Sequence, residues 1–400
     1  MSDNAPPKLA AVVTTYFKYS HAQQIVDRLL DGYGWNGTYH HPPIDLVSLF
    51  VDQVGKDDLS RERASRHPGM RIYPTIAEAL TSGGSKLAVD AVLIVGEHGN
   101  YPRNEKRQTK YPRYEFFEQV VKVFQDSGRV VPVFSDKHLS WNWEWARKMY
   151  DTSREMKFPF MAGSSLPVTW RIPSVEMPLG ARITEAMCVG YGGVDSYDFH
   201  ALETIQCMVE RRRGGETGVE WLQAYSGEKF WEALAQGVWP RALMDAALSR
   251  SHTLVPPVRG GVSHVLPSVD DMRRLVRGPV AYRYQHSDGL KCTMILLNGM
   301  IRDFNFAAYV NGGSQPWSTQ MYLPMPDDRT TLASFFSPLV HHFETMYLTG
   351  KATYPVERTL LTTGLTAAGM ESLFRGQVRY DTPHLAIRYE PTKESTFWRT

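Results

Sequence analysis

Cysteine is scarce in this 400-residue chain: Cys188, Cys207 and Cys292 are widely separated and odd in number. They fit neither a disulfide framework nor a zinc motif, and they point to a reducing compartment. A dominant charge is also missing. With 44 Lys and Arg against 42 Asp and Glu, the formal net charge is +2, which gives no footprint for nucleic acid or an anionic membrane. The one basic cluster, Arg211-Arg212-Arg213, is short and reads as a solvated helix end. No apolar run approaches the length of a membrane span, and the start, MSDNAPPK, lacks a basic region followed by an apolar run. A cytoplasmic protein is expected, without a secretory signal and with residues 1–8 disordered. Repeats and low-complexity tracts are absent too.

What is present is the composition of a soluble globular protein, 42% apolar and 22% charged. The length exceeds one hydrophobic core, so two domains are expected, 9–165 and 166–400, with the last helices able to pack back on the first. From Leu9 onward, strand-like and helix-like segments alternate. Strands are expected at 9–17, 44–52, 89–98, 129–134 and 158–164. Helices are expected at 22–31, 114–127 with Gly128 as C-cap, and 141–156 behind a cap at Ser140. Strict alternation implies a parallel sheet with helices on both faces, an α/β fold. A proline-rich crossing at 165–180 leads into an α+β pattern, with a hairpin turning at Ser287-Asp288-Gly289, further strands, and two long closing helices.

In such a sheet, ligands bind beyond the carboxyl ends of the strands. A dinucleotide-binding first turn needs glycines for close approach of the pyrophosphate. Here it reads Thr14-Thr15-Tyr16-Phe17-Lys18-Tyr19-Ser20-His21, with none. Thr14, Thr15, Tyr16 and Lys18 are the candidate cofactor contacts, and Asp52 stands where a ribose-binding carboxylate would. The other strand ends carry Glu97, His98 and Tyr101, then Asp136, Lys137 and His138. The second half adds Asp195, Asp198, His200 and Glu203 around a helix start, with His200 and Glu203 on one face at i,i+3 spacing. The loop 100–113 holds five basic residues among tyrosines, which suits either an anionic substrate or plain solvent. Trp141, Trp143 and Trp145 alternate and cannot all face one way.

The order DAVLIVGEH, SDKHLS, FMAGSSLPVTWR, GG-x6-H-x-x-E and the closing helices HFETMYLTG…MESLFRG resembles the glucose-fructose oxidoreductase/inositol dehydrogenase/MocA-like family. The resemblance implies a Rossmann-like doubly wound parallel sheet, followed by an α+β domain with an open, mostly antiparallel sheet. It also implies an NAD- or NADP-dependent oxidoreductase acting on a sugar, cyclitol or related polyhydroxylated molecule, and a homo-oligomer, dimer or tetramer, paired through the open sheets. Lys137 matches the family's catalytic lysine and His200 its catalytic histidine, a competent pair for moving a hydroxyl proton. Asp136 joins them, with Glu97, His98, Tyr101, His138, Asp195, Asp198 and Arg171 as substrate-binding candidates.

Three departures stand out: the missing glycines, Asp136-Lys137-His138 in place of Glu-Lys-Pro, and Ser196 where many members carry an aspartate. They open an alternative on the same scaffold. This is a non-redox lyase, isomerase or hydrolase using Zn²⁺ or Mn²⁺ held by His98, His138, His200 and Glu97. A binding protein that has lost catalysis is the third reading. The order of elements favours the dehydrogenase; the glycine-free turn favours the metal enzyme.

Overall fold

A computed structural model of the chain describes residues 5–255, 266–325 and 333–399. Of the leading segment expected to be disordered, residues 1–4 lie outside the described residues, and β1 (Lys8–Val13) begins at its end. There follow α1 (His21–Asp31), a hairpin of β2 (Tyr33–Trp35) and β3 (Thr38–His40), β4 (Asp45–Val51), α2 (Ser60–Arg66), β5 (Arg71–Ile72) and α3 (Ile76–Thr81). The run continues with β6 (Ala91–Val95), α4 (Arg113–Ser127), β7 (Val133–Asp136), α5 (Trp143–Glu155) and β8 (Phe160–Gly163). These strands form a parallel sheet in the order β5-β4-β1-β6-β7-β8, reversing between β1 and β6. Fully buried runs such as Ala91–Val95 are what a sheet covered on both faces requires.

A second sheet is built from β9 (Arg171–Ile172), β10 (Ile183–Gly190), β11 (Val219–Ser226), β12 (Val280–His286), β13 (Lys291–Leu296), β14 (Phe304–Val310), β15 (Trp317–Met321) and β16 (Tyr380–Asp381). Its order is β16-β11-β12-β13-β10-β14-β15-β9, antiparallel except where β10 meets β13. One face carries α6 (Tyr197–Val209) and α11 (Glu357–Phe374). Gly369 of α11 sits so close to this face that a Cβ there would meet the Tyr282 ring at 2.2 Å. The other face is covered by α7 (Glu228–Ala235), α8 (Arg241–Leu248) and α9 (Val269–Leu275), whose Phe230, Leu243 and Met272 pack with Met187, Val189 and Ile295. Helices of the same chain therefore pack on both faces of this sheet.

α10 (Phe336–Thr349) packs its Leu339, Val340 and Phe343 on the parallel sheet against Val13, Leu93 and Phe134. Among the described residues, no helix is long and apolar enough to cross a membrane. Two expectations differ in detail. The first strand stops at Val13 rather than at residue 17, because Thr14 turns to give its hydroxyl to the Glu97 carbonyl at 2.6 Å. The α5 cap is Asn142, which accepts from the Trp145 N–H, while Ser140 accepts from the Asn142 N–H.

Candidate active site

At the carboxyl end of β7 the backbone turns sharply: Lys137 adopts φ +67° and gives its N–H to the Gly163 carbonyl at the end of β8. His98, after β6, and Asp195, before α6, share this left-handed conformation at φ +69° and +59°. Non-glycine residues take it rarely and tend to cluster at functional sites. The turn buries the Lys137 ammonium, which donates to the Ser196 carbonyl at 3.1 Å and lies 3.6 Å from Glu97 Oε1.

The other Glu97 oxygen is held by Arg113, which is 0% exposed. Arg113 is the first residue of α4, a place where a cation opposes the helix dipole. It fits only because residue 96 is glycine; a Cβ there would meet Arg113 Cγ at 2.5 Å. Arg113 Nη1 also lies 3.1 Å from His138 Nε2. A guanidinium can only donate, so Nε2 accepts and the His138 proton sits on Nδ1.

Opposite, His21 opens α1, with Nδ1 2.7 Å from Asp136 Oδ2. The carboxylate accepts from Nδ1, orients the ring and leaves Nε2 for a ligand. His21, His98, Tyr197, His200, Leu323 and Phe336 line a cavity of about 160 Å³ between the two sheets. His200 Nδ1 and His98 Nε2 are buried there with no hydrogen-bond partner in the protein, as is Asp136 Oδ1 behind His21.

Burial sets the charge states. It holds His200 well below the ordinary imidazole value, helped by Lys137, and pushes His98 down to about 4, helped by His21. His138 is lowered well by burial and then by Arg113. For Glu97, burial works to raise the value, but Lys137 and Arg113 outweigh it and hold the carboxyl well below its usual range. Three neutral bases therefore surround a fixed cluster of two cations and one carboxylate.

The neutral histidines have a consequence for stability. Their folded values lie below the unfolded value of about 6.5, so the unfolded chain takes up more protons between that pH and the folded values. Stability is present above pH ~6.5 and falls on acidification from there toward about 4, where His98 titrates in the folded state. Urea midpoints measured across that window should fall steeply for the wild type, and less steeply for His98→Gln.

Several candidates lie elsewhere. Arg171 is buried against Glu176 at 2.7 Å and over the Phe397 ring, so it serves the fold rather than a substrate. Asp198 is 0% exposed and accepts from the N–H groups of Asp195, Ser196 and Phe199 and from the Tyr282 hydroxyl. With every lone pair engaged, it caps α6. Asp195 accepts the Thr109 N–H at 2.8 Å and pins the loop 100–113, and burial raises its carboxyl to about 7. That loop is not a plain solvated one: Lys106 pairs with Glu371 of α11, and Lys110 lies over Trp141. Glu203 accepts the Ser164 N–H and hydroxyl and ties α6 to the end of β8.

The metal set is corrected as well. His98, His138, His200 and Glu97 do not bring ligand atoms together: Arg113 occupies both Glu97 and His138, and the described residues hold such a group only at His40, His341 and Glu344.

The first turn holds the candidate cofactor contacts. The Phe17 and Gln23 N–H groups both donate to Ser20 Oγ, the Tyr19 N–H to Gln23 Oε1, and the Ser20 N–H to the Phe17 carbonyl. The amides of Phe17, Tyr19, Ser20 and Gln23 are satisfied within the turn. Tyr16 is buried with its hydroxyl on Asp27, Lys18 lies over the Tyr19 ring, and the Asp52 carboxylate accepts from Tyr101 at 2.7 Å. Gln53 and Asn100 bond to each other across the remaining gap. Only Thr15 Oγ1 is left without a partner. The turn thus carries no glycine and is held by its own side-chain hydrogen bonds.

His21 and Arg113 were not singled out from the sequence. The available signals were a histidine directly after a serine cap and an arginine opening a helix against its dipole. Phe336, from the far end of the chain, carried no signal.

No family model matches this sequence, and no curated protein matches it. Solved structures do match its fold. Myo-inositol dehydrogenase from Lactobacillus casei, in complex with NAD(H) and myo-inositol, aligns with TM-score 0.53 at 12% identity over 98% of this chain and 99% of its own. GenD2 from gentamicin A biosynthesis, in complex with NAD, aligns with TM-score 0.56 at 10% identity over 95% and 98%. Myo-inositol 2-dehydrogenase from Lactobacillus plantarum gives 0.52 at 11% over 94% and 99%. The chain shares the fold of these proteins from end to end.

Proposed function

We propose that this protein is an acid–base enzyme acting on a hydroxyl or carbonyl carbon of a sugar, cyclitol or related polyhydroxylated molecule held in the cleft between the two sheets. The observation that carries this reading is a cavity lined by the neutral, unpartnered imidazole nitrogens of His98 and His200, with the buried Lys137 ammonium behind the Tyr197 ring of its wall. His200 Nδ1 takes the proton from substrate, and Lys137 stabilises the alkoxide or enolate that results. The His200 imidazolium so formed gives that proton back at the neighbouring position or to the leaving hydroxyl, while His21, oriented by Asp136, presents Nε2 to accept a hydrogen bond from a substrate hydroxyl. Such a sequence is an isomerisation or an elimination and moves no hydride.

An NAD(P)-dependent oxidoreductase acting on the same substrate class is the second reading, favoured by the end-to-end likeness to structures solved with NAD. The same Lys137 and His200 would then handle the hydroxyl proton. Opening the first turn and releasing Asp52 from Tyr101 would have to come first.

Two measurements separate the readings. Fluorescence titration with NADH and NADPH is expected to show no binding below about millimolar, a level typical of weak contacts. Incubating the protein with a panel of sugars and inosose-type ketones in D2O is expected to give carbon-bound deuterium by NMR, without added nucleotide. Micromolar nucleotide binding with no exchange would overturn the first reading in favour of the second.

A further inference from the structure

Far from the cleft, the β2–β3 hairpin meets α10 through a group of side chains that the acid–base reading leaves unused. His40 ends β3, and His341 and Glu344 lie at i,i+3 on one face of α10. One ligand-type atom of each lies within 4.8 Å of the others. His40 Nε2 is 2.8 Å from Glu344 Oε1 and 3.0 Å from Oε2, and the Tyr33 hydroxyl donates to Oε2 at 2.9 Å. The His341 ring stacks on Trp35 at 4.3 Å, and Trp35 stacks on Trp398 at the same distance. His341 Nδ1 is buried with no partner in the protein.

We infer that His40, His341 and Glu344 form a binding site for a divalent transition metal, with zinc the best match, that clasps the β2–β3 hairpin to α10. Two imidazoles and a carboxylate are a common zinc donor set, with water completing the tetrahedron. Ligand atoms around tetrahedral zinc stand about 3.3 Å apart, given bonds of about 2.0 Å. Small side-chain rotations bring the three atoms from their present spread to that spacing, and the ion takes the place of the proton now shared by His40 and Glu344. Tyr33 orients the carboxylate and the tryptophan stack orients His341, the outer support that metal sites use. A two-stranded hairpin is marginal by itself, so a bond to α10 has something to secure. The clasp also steadies the helix whose first residue, Phe336, packs on His21 at 5.1 Å in the cleft wall.

The test uses the whole chain, stripped of metal by a chelator and dialysed. Zinc added against a competing indicator should bind at a single tight site per chain and raise the Tm by at least about 2 °C. Cobalt(II) should give the visible absorption of a four- or five-coordinate ion. His341→Phe keeps the stack on Trp35 and removes a ligand; it should weaken zinc on the order of 100-fold, with far-UV circular dichroism confirming the fold. Glu344→Gln should do the same. Zinc bound by His341→Phe as tightly as by the wild type would overturn the inference, as would zinc lost in His200→Gln but kept in His341→Phe, which would place the ion in the cleft.

Discussion

Lys137→Met lowers turnover by about 10²–10³-fold or more on whichever panel substrate the wild type converts, the loss expected when a charge aimed at a developing oxyanion is removed from a desolvated site. The ammonium is 2% exposed and positioned by the Ser196 carbonyl and the Glu97 carboxylate, so its placement costs no reorganisation when substrate charge develops. Methionine keeps the length of the side chain and fills the same volume. Glu97 retains Arg113, so no carboxylate is stranded by the change, and the variant should keep the wild-type circular dichroism. Lys137→Arg should recover little, because a planar fork cannot occupy a slot shaped for a compact ammonium. The loss should fall mainly on kcat, since the interaction strengthens as charge develops. Unimpaired turnover in Lys137→Met would move the site elsewhere.

The parts of this molecule written in local patterns were legible. Buried runs such as Ala91–Val95, helical stripes such as Phe117, Val120, Val121 and Phe124, and the left-handed cap at Gly128 each depend on neighbours in sequence. Alternation of those elements was enough for the parallel sheet. The hairpin β2–β3 was not legible, because its strands are three residues long and mostly exposed. Nor was the helical cover on the second sheet, which packs on both of its faces.

The site divides in the same way. Lys137 and His200 sit at a strand end and a helix start, positions the topology fixes; His98 and His200 line the cavity, and Lys137 is buried beside Glu97 and over the Tyr197 ring. What periodicity cannot report is which polar group already has a partner. Asp198 and Arg171 looked free in sequence and are saturated, one by its own helix start and the other by Glu176. Arg113 looked like one of five loop cations and is instead the buried counter-charge of the site. The first turn failed the glycine test in sequence, and its hydroxyls still left room for a phosphate. In the structure two of those hydroxyls are engaged, Thr14 by the Glu97 carbonyl and Ser20 by the Phe17 and Gln23 amides.

Arg113→Met is the substitution with the largest expected effect on stability. The residue is 0% exposed, is paired with Glu97, donates to His138, and presses its Cγ onto the backbone at Gly96. Breaking a buried pair by removing one partner typically destabilises by about 3–5 kcal/mol, because the remaining charge is stranded. Lys137, at 3.6 Å, still faces the carboxylate, which favours the lower half of that range. The sign of the pH dependence follows from Glu97, whose folded value is held well below its usual range by Lys137 and Arg113 against the effect of burial. Its contribution is present above the unfolded value of about 4.3 and is lost as pH falls through the folded value. Removing Arg113 raises that folded value, so the gap between wild type and variant should be widest near pH 7 and should narrow on acidification below about 5. Urea unfolding at a series of pH values reads this directly. Glu97→Gln combined with Arg113→Met should destabilise by less than the sum of the two single changes, because each single change strands what the double change removes. Additive losses, or a gap that widens toward acid, would show that Arg113 acts through packing alone.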